Sequence, residues 1–249
     1  MEKHCLLRPS RRQFLASAAL FSVMTGSQAL AHSFSGRLPW EADAANPPVQ
    51  VKPGGWVFFT PDEARLMEAI ADRFIPADEL SIGGREAGCV VYLDRQLAGS
   101  YGASSRLYMK GPFLPGLPTQ GNQSPYTPAD QYRLGLSALM TWLRQNKGGK
   151  SFAELSGDEQ DDILKQMESG KLALGGKVPA KALFNQMLND IMTGFFADPV
   201  YGGNKDMVAW KMIGFPGARY DYRDFVSKHN QPYPLPPVSI AGTLDWMKG

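Results

Sequence analysis

Histidine and cysteine are scarce in this chain, with three histidines and two cysteines among 249 residues. Cys5 falls in an N-terminal leader, which leaves Cys89 as the sole cysteine of the mature protein. An internal disulfide and a CxxCH haem attachment are thereby excluded. An odd cysteine in an oxidising compartment is either buried and inert or paired with another chain. Cys89, between Gly88 and Val90 in an expected helix, favours burial, with an intersubunit thiol bridge as the alternative. His32 and His229 are the mature histidines, and no pair stands at metal-ligand spacing. A Ser-His-Asp triad would have to use His229, in a proline-rich tail.

Nucleotide-binding and hydrolase signatures are missing as well. There is no GxGxxG after a strand, no P-loop and no GxSxG elbow. The neighbouring acids Asp158-Glu159 and Asp161-Asp162 occupy adjacent helical positions, which point apart, so they read as a solvated face rather than an acid/base pair. Asp198, Asn204 and Asp206 flank Tyr201-Gly202-Gly203, but their spacing is not that of an EF-hand, and a glycine-hinged loop is the favoured reading. No segment alternates like a strand, and no repeat of solenoid length occurs. No basic patch argues for nucleic acid or anionic lipid.

The first 31 residues read as a targeting segment, of the twin-arginine type or, alternatively, an ordinary secretory signal that contains two arginines. Lys3, Arg8, Arg11 and Arg12 precede an apolar run from Phe14 to Met24, too short for a bilayer span of about 20 residues. Ala29-Leu30-Ala31 offers a small-x-small cleavage site between Ala31 and His32. Ser10-Arg11-Arg12-Gln13-Phe14-Leu15 matches the twin-arginine consensus, with Arg11, Arg12, Phe14 and Leu15 as its informative positions. Export to the periplasm is the expectation. The leader carries four basic residues and one acidic residue, so the full chain's charge of +2 becomes about −1 after cleavage. A chain of this size can bury one core without disulfides or metals.

Residues 32–55 form a Pro-, Gly- and Ala-rich linker, and 56–249 form the folded domain. Thr60-Pro61-Asp62-Glu63 predicts a capped helix start, followed by Leu66, Met67, Ile70 and Phe74 on one face and a stop at Pro76. A second helix is expected from about 85 to 97, and a third from Thr127-Pro128-Ala129-Asp130 to about Gly148. Ser151 with Glu154 and Ser156 with Glu159 start two short segments. The strongest periodicity runs from about 179 to 196, where Leu183, Phe184, Met187, Leu188, Ile191 and Phe195 form a core stripe. The fold class is therefore all-α, an irregular helical domain with long Gly/Pro-rich arms at 101–128 and from 214 onward. These arms hold many aromatics, including Tyr101, Tyr108, Phe113, Tyr126, Phe215, Tyr220, Tyr222, Phe225 and Tyr233. Disordered segments are poor in aromatics, so the arms read as surfaces laid on a partner.

The run from Phe195 to Gly217, with Tyr201-Gly202-Gly203-Asn204, Trp210 and Gly214-Phe215-Pro216-Gly217, resembles the signature of the gluconate 2-dehydrogenase subunit 3 family. The resemblance extends over nearly the whole mature chain. It includes Phe58-Phe59-Thr60-Pro61, Asp72-Arg73-Phe74-Ile75-Pro76 and Gly121-Asn122-Gln123. It implies a small, non-catalytic subunit of a membrane-associated FAD-dependent dehydrogenase complex, an oxidoreductase of the gluconate 2-dehydrogenase (acceptor) type. No active site and no cofactor are expected in this chain. FAD belongs to a large flavoprotein partner and haem c to a multihaem cytochrome c partner, and the membrane is reached only through the complex. The small subunit would support assembly, stability and twin-arginine export of the flavoprotein. Tyr201, Gly202, Gly203, Asn204, Trp210 and Phe215 are the expected partner interface, with Trp210 alternatively filling the chain's own core. Readings of other classes are a stand-alone periplasmic enzyme and a ligand-binding protein.

Overall fold

The computed structural model describes residues 50–241, apart from 53, 115, 121, 122 and 220. The expected leader with Arg11, Arg12, Phe14, Leu15 and Ala31, His32 after it, most of the expected linker, Gly121, Asn122 and Tyr220 lie outside the described residues.

The described residues hold six α-helices and no strand: α1 Pro61–Phe74, α2 Cys89–Ala98, α3 Pro128–Asn146, α4 Gly157–Glu168, α5 Ala180–Phe196 and α6 Val208–Ile213. The all-α expectation holds. Three helices begin with reciprocal capping boxes. Thr60 accepts from the Glu63 N–H while Thr60 N–H donates to the Glu63 carboxylate at 2.8 Å. Thr127 and Asp130 do the same for α3, and Ser156 and Glu159 for α4. Each box satisfies two backbone groups that a helix end would otherwise leave bare. The second helix starts four residues later than its apolar pattern suggests. Gly88, its N-cap, sits at φ 82, and residues 84–88 form turns instead.

α5 is the central helix, packed against α2, α4, α3 and α1. Leu183, Met187, Ile191 and Phe195 are buried on it, meeting Leu93 and Leu97 of α2, Leu136 and Leu139 of α3, and Ile163 and Met167 of α4 in one core. Burial of each such side chain contributes about 1.5–3 kcal/mol. Two aspartates lie within this apolar framework. Asp94 of α2, fully buried, accepts the N–H groups of Val57, Phe58 and Phe59 at 2.9 Å each and pairs with Arg95. The segment entering α1 is thereby fastened to α2. Arg133 of α3 reinforces the entry, donating to the Glu63 carboxylate and the Phe58 carbonyl with its guanidinium 4.0 Å from the Phe58 ring centre. By contrast the Arg65–Asp62 pair is two-thirds exposed, and such pairs contribute about 0–1 kcal/mol.

Candidate functional site

The most constrained stretch of backbone follows α5. Asp198 caps a 3-10 turn, Pro199–Tyr201, by accepting the Val200 N–H at 3.0 Å. Gly202 then turns at φ 97 and Asn204 at φ 47. Left-handed backbone is strained for most residues but tolerated by asparagine. Asn204 is fully buried and its amide is doubly used: Nδ2 donates to Ala197 O and Oδ1 accepts from Ala209 N–H, each at 2.9 Å. One side chain thus joins the end of α5 to the start of α6, across a second 3-10 turn, Lys205–Met207.

Glycine is required at this turn because of close backbone approach. A Cβ on Gly203 would lie 2.1 Å from the Gly194 carbonyl oxygen of α5, and one on Gly88 would lie 2.4 Å from the Gly202 carbonyl oxygen. Real Cβ atoms do not come so near. Lys205 N–H donates to Ala87 O at 3.0 Å, so the turn after α5 is stitched to the turn before α2. Two outlying segments are fastened here too. Val51 N–H donates to Val200 O at 2.8 Å. Ser239 hydroxyl and Ile240 N–H donate to the two oxygens of Asp198 at 2.6 and 2.7 Å. The C-terminal arm returns to this point after pairing with itself at Gly217 and Val238. The Gly-Gly-Asn turn is therefore a fastener for four separate regions of chain.

The six residues expected at a partner interface divide into two groups. Gly203, Asn204 and Trp210 are buried in the chain's own fold, and Gly202 is half-buried. Trp210 is 5% exposed, and its indole N–H donates to Phe196 O at 2.9 Å. Of its two alternatives, core and interface, the geometry places it in the core. Tyr201 and Phe215 face solvent, Phe215 with its ring edge-to-face on Trp210 at 5.2 Å. Cys89 is fully buried, and burial pushes its thiol up to about 12. A bridge to another chain would require α2 to open. The oxygens of Asp198 and Asn204 are committed to this chain's own donors, which leaves the exposed Asp206 alone as a free carboxylate in that turn.

Asp94 and Asp190 are structural centres that the sequence pattern did not flag. Asp190 of α5 accepts from the Tyr101 hydroxyl at 2.7 Å and the Tyr132 hydroxyl at 3.0 Å. Burial raises its pKa, and the two tyrosine hydrogen bonds oppose the rise. Both phenols are pushed up by burial and by the nearby carboxylate, so they keep their protons and donate them to Asp190. The only available hint was an acid on an otherwise apolar helical face. Beside Tyr101 an open groove of about 810 Å³ runs between α2, the loop after it and the end of α5, with Tyr92, Arg106, Leu107 and Tyr201 in its walls. Among the described residues no group of three or more His, Cys, Asp or Glu side chains could hold a metal ion.

A family model described as gluconate 2-dehydrogenase subunit 3 matches residues 61–217, more than half of the chain. It begins at the first residue of α1 and ends at the glycine where the C-terminal arm pairs with itself. No curated protein and no solved structure matches.

Proposed function

The chain belongs to the gluconate 2-dehydrogenase subunit 3 family, and from that premise we propose that it is the small, non-catalytic subunit of a membrane-associated FAD-dependent dehydrogenase complex. It binds the folded flavoprotein subunit and carries it through the twin-arginine route to the periplasm, where a multihaem cytochrome c completes the complex. The family match, spanning all six helices, is the observation that carries this reading.

Physical reasons support this division of labour. A flavoprotein folds around FAD in the cytoplasm, and the twin-arginine route moves folded proteins. A partner that brings Arg11 and Arg12 can supply the address. Asp94, Asp190 and Asp198, with Tyr101 and Tyr132, serve this chain's own architecture. Tyr201 and Phe215, displayed at the two ends of the buried fastener, are offered to the partner. Among the described residues no helix is long and apolar enough to cross a membrane, and membrane association comes through the complex.

A pulldown of the tagged chain from periplasm tests the reading. Recovery of an FAD-containing protein of the glucose-methanol-choline type is expected. Recovery of the chain alone, with dehydrogenase activity of its own, would favour a stand-alone enzyme instead.

A further inference from the structure

The loop between α2 and α3 leaves the fold and returns to it through a closed neck. Gly102 N–H donates to Gln96 O and Ala129 N–H donates to Gly102 O, each at 3.1 Å. The Tyr101 hydroxyl on Asp190 locks the neck to α5. Beyond the neck the loop is held by local bonds, such as Leu107 N–H to Ser104 O at 2.9 Å and Leu117 N–H to Gln120 Oε1 at 2.6 Å. Tyr126, just before α3, packs against the core, but several large side chains farther out do not turn back to it. Leu107, Leu114 and Leu117 are each about two-thirds exposed and Tyr108 is 82% exposed. Single exposed apolar residues are ordinary, but several on one short loop mark an interaction site.

Charge adds a second, independent feature. Between Asp94 and Asp130 the sequence holds no acidic residue, and its charges are Arg95, Arg106 and Lys110. The mature chain as a whole is close to neutral, so this segment is a local departure. Arg106 and Lys110 are exposed among the apolar side chains. Arg106 and Leu107 also form one wall of the groove whose far side carries the exposed Tyr201.

We propose that the loop at 105–117 is the principal docking element of this subunit, and that it seats in an apolar cleft with an acidic rim on the flavoprotein subunit. This rests on the reading given under Proposed function. Leu107, Tyr108, Leu114 and Leu117 fill the cleft, Arg106 and Lys110 meet rim carboxylates, and a segment of the partner enters the groove toward Tyr201. A protein fits these features better than a lipid surface. Two loop cations are fewer than the roughly four to eight of polybasic lipid-binding segments. A groove between helices accepts a projecting side chain and not a bilayer.

The test co-expresses the full chain with the FAD-containing subunit of its complex and measures flavin recovered with the tagged chain. Leu107→Asp with Leu114→Asp is expected to lower recovery by about tenfold or more, as loss of central anchors does. The melting temperature of the isolated variant should stay within about 2 °C of wild type, as expected for surface positions. Equal recovery by variant and wild type would overturn the docking role of the loop while leaving the complex intact. No flavin with the wild-type chain would instead sink the subunit reading, and this inference with it. If the aspartate variant melts far lower, Arg106→Glu with Lys110→Glu decides: lowered recovery with unchanged melting supports the proposal, and unchanged recovery overturns it. Binding of the wild-type chain to phosphatidylglycerol vesicles, lost in the aspartate variant while flavin recovery persists, would assign the loop to lipid and refute the proposal.

Discussion

Trp210→Ala separates two roles for the most conspicuous side chain of the family signature. The indole is 5% exposed, hydrogen-bonded to Phe196 O at 2.9 Å and set edge-to-face on Phe215. It is one of two buried residues on α6, a helix of six residues. Helices this short do not persist on local propensity, so tertiary packing holds α6 in place. Truncating a buried tryptophan costs about 3–5 kcal/mol. For a domain of this size each kcal/mol moves the melting temperature by about 2–4 °C, which predicts a fall of about 6–20 °C. Thermal melts of the isolated mature chain measure it. Trp210→Phe, which keeps a ring but loses the indole donor, should fall between the alanine variant and wild type. A drop below about 2 °C for Trp210→Ala, together with weaker flavoprotein binding, would refute the core assignment and restore Trp210 as an interface anchor.

Other consequences are as direct. Gly203→Ala places a methyl 2.1 Å from the Gly194 carbonyl oxygen, a backbone atom that cannot step aside, and should cost about 2 kcal/mol or more in urea midpoint experiments; an unchanged midpoint would contradict the close approach. The Cys89 thiol, buried and pushed up to about 12, should resist a thiol reagent at about pH 8 in the native chain and react at once in guanidinium; rapid native labelling would reopen the intersubunit bridge. Burial raises the Asp190 carboxyl, so its folded value lies above its unfolded one. Its contribution to stability is greatest below the unfolded value and is lost as pH rises through the folded one. Asp190→Asn should therefore flatten the decline in urea midpoint from about pH 4 upward, and equal slopes would count against the assignment.

Helix starts were the most legible part of the sequence because capping is local chemistry. Thr60, Thr127 and Ser156 announce helices that begin at the next residue. The start of α2 was less legible, since Gly88 adopts its left-handed turn to pass beneath the Gly202 carbonyl, a tertiary demand. α6 is likewise made by packing rather than periodicity, within a run where Asn204, Asp206 and Met207 all take positive φ. The signature 195–217 was visible as special, but its spacing does not reveal which side chains turn inward. Trp210 and Asn204 face the core because the Gly203–Gly194 approach fixes the turn against α5. Asp94 and Asp190 were hidden, because an acid in a helix ordinarily reads as a solvated face and the backbone and tyrosine donors they accept from lie 35 to 89 residues away.

Escort of a flavoprotein by this non-catalytic subunit, the role proposed above, depends on the twin-arginine address and can be tested there. Arg11→Lys together with Arg12→Lys keeps the charge of the leader and would be tolerated by an ordinary secretory signal. Dehydrogenase activity and FAD are then measured in periplasm and cytoplasm of cells that make the variant and the flavoprotein subunit. Both proteins are expected to be retained in the cytoplasm and periplasmic activity to be lost. Normal periplasmic activity in the double variant would contradict the escort role.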